Sequence, residues 1–369
     1  MLNRPRVALA HDFLVQLGGA ERVALELTRA FPGAPLYTGV YTPELTYPEF
    51  RDVDVRTSWL DRIPFLAHHH RAAFPFLAAT FSAMHVDADV VVCSSSGWSH
   101  GVHTAAPKLV YCHTVARWLS QPDRYVGDQP TTRAHATRAA LALATPALRR
   151  WDARAARSAT RYLANSAMTR EAIGEHYGVD ATVLHPPATE IVQPARSLAG
   201  QAPGFFLVVS RLLPYKHVDV ACAAFADLPH ERLLVVGAGP ERDRLRRQAP
   251  GNVEFRDHLD DGELRWCYEQ ATALVAMSHE DFGLSVLEAA TAGRPVAALR
   301  AGGYLETVVD GTTGLFVDTL APAALTATIA RLRAHAWDTA AIRAHAARFS
   351  ASRFRARLRD AVDEIAPLS

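Results

Sequence analysis

Apolar runs of four to six residues recur along the chain, each closed by a polar or glycine turn and followed by a stretch with helical spacing. RVALA (6 to 10) is followed by ERVALELTRAF (21 to 31). The same alternation continues through PLYTGVY (35 to 41), ADVVVCSS (88 to 95), KLVYC (108 to 112), RYLANS (161 to 166) and ATVLHPP (181 to 187). Short continuous apolar runs suit strands buried on both faces, and strands alternating with helices predict a parallel, doubly wound α/β sheet. The pattern starts again at GFFLVVS (204 to 210) and passes through LLVVGAGPERDRL (233 to 245), NVEFRD (252 to 257), TALVAM (272 to 277) and PVAAL (295 to 299). From 188 to 203 periodicity is lost among Gln, Pro, Ala, Ser and Gly, and after TGLFVD the chain reads as helical to its end. These breaks predict domains at 1–190 and 204–350, with 191–203 as a linker and 351–369 as a closing helix.

In open α/β sheets ligands collect outside the carboxyl ends of the strands, so the turns after the strands carry the candidate chemistry. The turn after TALVAM holds Glu280, and the helix SVLEAATA carries Glu288 about two turns in. Two carboxylates placed in this way can take vicinal hydroxyls. The N–H groups of Phe282, Gly283 and Leu284 open that helix and offer an anion site. Arg211 and Lys216 lie in the turn after GFFLVVS, where two fixed cations can neutralise a diphosphate or stand as solvated charges. Gly18 and Gly19 precede the first helix, either to let amides approach a phosphate or as a plain strand-to-helix turn. His113 follows KLVYC, where it can hydrogen-bond a sugar hydroxyl, handle a proton near neutral pH, or be a bland histidine among the 17 of the chain. Asp87 and Asp89 precede their strand and so face the wrong edge for a metal site. G-A-G-P at 237 to 240 is not a full dinucleotide fingerprint and supports such a site only weakly.

Composition narrows the function classes. With 369 residues, 49% hydrophobic, 21% charged and a net charge of +1, the chain reads as a large soluble enzyme with no reason to expect a nucleic-acid partner. No 18-residue apolar run and no signal-peptide pattern are present, which predicts a cytoplasmic location. Cys93, Cys112, Cys222 and Cys267 have no metal-ligand spacing and read as buried reduced thiols. Arginines at 133, 138, 149, 150, 154, 157 and 161, with HHHRAAFPFLAATF at 68 to 81, form either a basic face for an anionic membrane surface or a solvated arginine face beside a packing helix.

Glu280-x7-Glu288 with its EDFG turn, the AG-x-PV stop and the downstream AGGYLETVVDGTTGLFV resembles the E-x7-E region of glycosyltransferase family 4. SRLLPYK at 210 to 216 matches that family's S-R-L-x-P-x-K motif, and ANSAMTREAIGEHYGVDATVLHPP is similar to the segment closing its first domain. YCHTVARW (111 to 118) resembles the WbaZ-type mannosyltransferases, which typically carry Pro where Val115 stands. The resemblance implies a GT-B fold, two Rossmann-like doubly wound domains facing a central cleft, whose last helix crosses back onto the first domain. It further implies retention of anomeric configuration, no metal cofactor, and a nucleotide-sugar donor as co-substrate. On that basis Arg211 and Lys216 stabilise the departing diphosphate, Glu288 holds the ribose diol, Glu280 holds the sugar, and His113 contacts the transferred sugar. Gly18, Gly19, Gly302 and Gly303 would border the donor, and the exit of NVEFRD would lie near the nucleobase. GDP-mannose is the donor implied, with UDP-N-acetylglucosamine or UDP-glucose as the alternative. The acceptor would be a glycan, a lipid-linked sugar or a small molecule. A sugar-nucleotide epimerase and a non-catalytic scaffold are the competing classes.

Overall fold

The computed structural model describes residues 5–63, 70–116, 132–189 and 191–367. The chain divides into two compact units, Met1–Pro186 with Ser352–Ser369, and Pro187–Ala351. In the first unit β1 (Val7–His11), α1 (Gly19–Ala30), β2 (Leu36–Thr38), β3 (Val55–Thr57), α2 (His70–Ala83), β4 (Val90–Ser95), β5 (Lys108–Cys112), α3 (Thr132–Arg157), β6 (Arg161–Ala164), α4 (Ala167–Tyr177) and β7 (Ala181–Val183) follow one another. The seven strands form one parallel sheet in the order β3-β2-β1-β4-β5-β6-β7. Every residue of β4 and β5 is buried, as expected for central strands covered on both faces. Alternate residues serve opposite cores: Ala8, Ala10, Val91, Cys93 and Val110 face one, and Leu9, Val90, Val92, Leu109 and Tyr111 face the other. Asp89 accepts hydrogen bonds from the Arg6 guanidinium at 3.0 and 3.2 Å and from its backbone N–H at 2.7 Å, tying the amino ends of β1 and β4 together.

The second unit carries β8 (Phe206–Val209), α5 (Val218–Ala226), β9 (Leu233–Val236), α6 (Arg242–Gln248), β10 (Val253–Arg256), α7 (Asp261–Gln270), β11 (Ala273–Ala276), α8 (Leu284–Thr291), β12 (Val296–Leu299), α9 (Tyr304–Thr307), β13 (Gly314–Val317), α10 (Pro322–Ala334) and α11 (Thr339–Ala347). Its six strands are parallel in the order β10-β9-β8-β11-β12-β13. An apolar core lies on each face, one around Phe206, Val208 and Val275, the other around Leu207, Leu234 and Leu274. Asp260 and Glu263 close a capping box at the start of α7, satisfying two orphan N–H groups reciprocally. The segment read from sequence as a linker lies on this unit. Arg265 donates to the carbonyls of Ile191 at 3.2 Å and Gln193 at 3.1 Å, Arg196 N–H donates to Gly262 O at 3.0 Å, and Leu198 is buried. Its aperiodic sequence reflects tethering by side-chain donors to backbone carbonyls rather than by a helix or strand ladder.

The last helix, α12 (Ala351–Asp363), places Phe354, Leu358, Ala361 and Val362 in the first unit's core beside Leu9 and Tyr111. The spacing of those four apolar residues is one helical face. Tyr111 meets Phe354 edge-on with ring centroids 5.5 Å apart, and Arg355 pairs with the buried Glu26 at 2.6 Å. Truncating Leu358, fully buried, would cost about 2–5 kcal/mol. No described helix is long and apolar enough to cross a membrane.

Candidate functional site

In each sheet the strand order reverses beside the unit's first strand, between β1 and β4 in one and between β8 and β11 in the other. A crevice opens at such a reversal because consecutive crossovers leave on opposite faces of the sheet.

In the second unit the turns leaving β8 and β11 meet across that point. Lys216, in a 3-10 turn at Pro214–Lys216, forms an ion pair with Glu280, the side chains being 11% and 22% exposed. The Ser278 hydroxyl donates to the same Glu280 oxygen at 2.5 Å and lies 2.9 Å from the Tyr304 hydroxyl. Tyr304 is buried, and burial with the neighbouring Glu280 charge raises its phenol well above the usual range, so it is an uncharged anchor. An ammonium has three donors, and the carboxylate takes one of them. Arg211 is exposed and reaches Tyr215 Oη at 3.3 Å. Eight residues beyond Glu280, Glu288 accepts a hydrogen bond from Tyr268 Oη at 2.6 Å, which fixes one carboxylate oxygen from α7. Phe282 is buried against Phe349, with centroids 5.9 Å apart, and Gly283 takes a φ of 97° to start α8. Where the resemblance implies the nucleobase, the exit of β10, Asp257 pairs with Arg242 at 3.1 Å and His258 takes a φ of 54°.

The glycines around this point are explained by the approach of one backbone to another. A Cβ on Gly302 would lie 2.4 Å from Glu280 O, and one on Gly303 would lie 2.2 Å from Phe282 Cα. Gly303 N–H donates to Glu280 O at 2.8 Å. The pair read from sequence as bordering the donor thus supports the Glu280 turn from behind. Gly237 and Gly239 do the same for the other wall, where added Cβ atoms would meet Ser210 O at 1.9 Å and Leu212 O at 2.3 Å.

In the first unit, the Asp12 carboxylate accepts from Ser96 N and Ser99 N, each at 2.7 Å, and holds the turn leaving β4. His113 donates its N–H to Ser95 O at 2.9 Å, and its own carbonyl accepts from Asn165 Nδ2 at 2.8 Å. Its ring is buried, with Nε2 2.7 Å from Ser94 Oγ. Burial first, and then the neighbouring His11, push its pKa down to about 3. The surroundings of the ring thus favour its uncharged form. At Gly18, an added Cβ would meet Glu21 Oε2 at 2.2 Å, so the glycine loop presents a carboxylate beside the start of α1.

Sequence reasoning missed Ser94, His11, Ser278, Tyr268 and Tyr304. Ser278 stands two positions before Glu280 at a strand exit, which was a usable signal; the others are joined only by the fold. Of the arginine cluster, Arg149, Arg150, Arg154 and Arg157 are exposed on α3, whereas Arg161 pairs with Glu364. The side chains of Arg133 and Arg138, and those of residues 68 to 75, lie outside the described residues. All four cysteines are free and buried, and burial raises Cys93, Cys222 and Cys267 to about 12. Among the described residues no group of three or more His, Cys, Asp or Glu is arranged to hold a metal ion.

Residues 17–188 match the family model for Glycosyltransferase Family 4, and residues 204–335 match the model for glycosyl transferases group 1. D-rhamnosyltransferase WbpZ of Pseudomonas aeruginosa is 33% identical over 156 residues, 40% of this chain and 40% of that protein. A D-inositol 3-phosphate glycosyltransferase of Geodermatophilus obscurus is 30% identical over 287 residues, 69% of this chain and 60% of that protein. The chain thus spans between 40% and 60% of the length of these two curated relatives. Among solved structures, Anabaena HepE in complex with UDP-glucose superposes with a TM-score of 0.69 at 18% identity, covering 98% of this chain and 100% of that one. Sucrose-phosphate synthase from Thermosynechococcus elongatus gives 0.66 at 17% identity, covering 97% and 98%. With one model on each sheet unit the chain belongs with the family-4-type glycosyltransferases, and the structural neighbours show the GT-B fold.

Proposed function

We propose that the chain is a retaining, metal-independent hexosyltransferase that takes its sugar from a nucleoside diphosphate donor seated on the second unit. The observation that carries this reading is the Lys216–Glu280 pair spanning the β8/β11 reversal, with Glu288, eight residues on in α8, held by Tyr268. A cation and an acid side by side fit the junction of a diphosphate and a sugar. The two remaining ammonium donors of Lys216, with Arg211 on the same turn, meet phosphate oxygens whose charge grows as the glycosidic bond breaks. Glu280, steadied by Ser278, accepts from sugar hydroxyls and fixes C1 toward the acceptor. Glu288 keeps a second oxygen for the ribose diol. In this reading the phosphate oxygen of the donor serves as the base for the acceptor hydroxyl.

GDP-mannose is the first donor proposed, supported by the Y-C-H-T resemblance to the mannosyltransferases. UDP-glucose is the second, supported by the donor named for HepE. Incubation with both and measurement of slow hydrolysis tests the reading, and thermal shift with GDP against UDP separates the bases. No turnover of any nucleotide sugar, and no stabilisation by either nucleotide, would overturn it. For the acceptor we propose a lipid-linked glycan approached over an anionic membrane surface by Arg149, Arg150, Arg154 and Arg157, all exposed on one helix. Salt-sensitive flotation with anionic liposomes is expected, weakened when the first three become Ala. A chain that stays off such vesicles at low salt points to a soluble acceptor.

A further inference from the structure

Three polar side chains at the carboxyl edge of the first sheet form a directed chain of hydrogen bonds that the proposed chemistry does not use. His11 Nδ1 lies 3.1 Å from Ser94 O and 3.0 Å from Ser94 Oγ, and Ser94 Oγ lies 2.7 Å from His113 Nε2. His11 and Ser94 are directly paired residues of β1 and β4, and both are buried. The direction of each bond follows from one fact: a carbonyl oxygen can only accept. His11 Nδ1 facing Ser94 O must therefore carry the proton, since the other tautomer would set a ring lone pair against a carbonyl lone pair. Ser94 O also accepts from Ser99 Oγ at 2.8 Å, and its two acceptor positions are thereby filled by two donors.

With His11 Nδ1–H shared between Ser94 O and Ser94 Oγ, the Ser94 hydroxyl proton is left for its other neighbour. It points to His113 Nε2, which then accepts, and an uncharged imidazole that accepts at Nε2 carries its proton on Nδ1. The ring is kept uncharged by its surroundings. The rings packed on it are Tyr111 at 5.2 Å and His11 at 6.4 Å. The backbone of His113 is held on both sides, by Ser95 O and by Asn165 Nδ2, and its ring is buried.

We propose that Ser94 and His11 are positioning residues that lock His113 as the Nδ1–H tautomer, so that His113 meets a substrate oxygen as a hydrogen-bond donor and never as a base. This rests on the reading that His113 touches substrate, but the tautomer itself is a property of the free protein. A locked donor at this edge selects for an acceptor atom, such as a sugar hydroxyl oxygen presented through its lone pair, without exchanging protons with the medium.

The test is two-bond 1H–15N correlation of the full chain labelled at histidine, with His113 assigned by loss of its signals in His113→Gln. The expected pattern for His113 is that of the Nδ1–H tautomer, which free imidazole disfavours, unchanged from pH 5 to 8. Ser94→Ala should return His113 to the Nε2–H form or a mixture, as should His11→Leu. His11→Asn, which can place an amide donor near the same carbonyl, should restore the wild-type pattern. An Nε2–H pattern in the wild type, titration of His113 within that range, or a pattern unmoved by both Ser94→Ala and His11→Leu would overturn the proposal. The pattern is read without turnover. If it holds while no nucleotide sugar is consumed, the transferase reading fails and the relay stands; if sugar is transferred but His113 is Nε2–H, the relay alone fails.

Discussion

Gly303→Ala probes whether the glycines behind the Glu280 turn serve loop packing or border the donor. A Cβ at 303 would lie 2.2 Å from Phe282 Cα and 2.6 Å from Asp281 O, both backbone atoms that cannot rotate away. Ordinary contact requires a separation longer by about 1 Å, so the turn must shift by that amount. The hydrogen bond from Gly303 N–H to Glu280 O, 2.8 Å long, runs through the same contact and will stretch with it. Overpacking of this kind costs about 1–3 kcal/mol, a melting shift of several degrees for a unit of this size. A carboxylate displaced by about 1 Å at a reacting sugar costs about 10²-fold in turnover. The assay pairs donor hydrolysis with thermal melts, using Gly174→Ala as control. Gly174 lies in α4 with nothing within 4 Å of an added Cβ, and the change should leave activity intact and stability unchanged or raised. Turnover of Gly303→Ala within about twofold of wild type, or a loss confined to KM with kcat intact, would refute the packing role.

Three further outcomes follow from the same geometry. Lys216→Met should lower kcat/KM by about 10²-fold or more while EDTA leaves the wild type active, and strict restoration by Mg²⁺ or Mn²⁺ after chelation would count against the cationic turn. Glu280→Ala should damage turnover and Glu288→Ala nucleotide affinity, as measured by titrating free nucleotide into both; equal affinity losses would contradict the division of roles. Because His113 is held uncharged with its pKa lowered to about 3, the unfolded chain binds the proton first as pH falls below about 6.5. Stability is then intact above that pH and lost below it, by about 2 kcal/mol at pH 5, and His113→Gln should flatten this acid limb in denaturant titrations.

The strands were legible because each is an apolar run in a parallel sheet, as in LVVS at 207 to 210 and LVAM at 274 to 277. β3 was not, because Val55–Thr57 is a short, half-exposed edge strand with one aliphatic residue. Glu280, Arg211 and Lys216 could be placed at strand exits, and Glu288 in the helix that follows, from local pattern alone. Their supporting partners could not, since His11 and Ser94 are 83 positions apart and meet only through the register of β1 on β4. The glycine pair at 302 and 303 shows the limit of composition: a ligand approach and a backbone approach demand the same residue. The backbone approach to the neighbouring turn is seen only in three dimensions.

In the proposed reading a nucleoside diphosphate sugar sits at the β8/β11 reversal, held by Lys216 and Glu280. A crystal structure of the chain with an intact or hydrolysed donor tests it most directly. Diphosphate oxygens are expected within hydrogen-bond reach of Lys216 Nζ and Arg211, sugar hydroxyls on Glu280, and the ribose diol on Glu288. A donor bound elsewhere, for instance in the hollow lined by Arg29, Pro32 and Asp52 at the opposite edge of the first sheet, with Lys216 and Glu280 still paired only to each other, would contradict it.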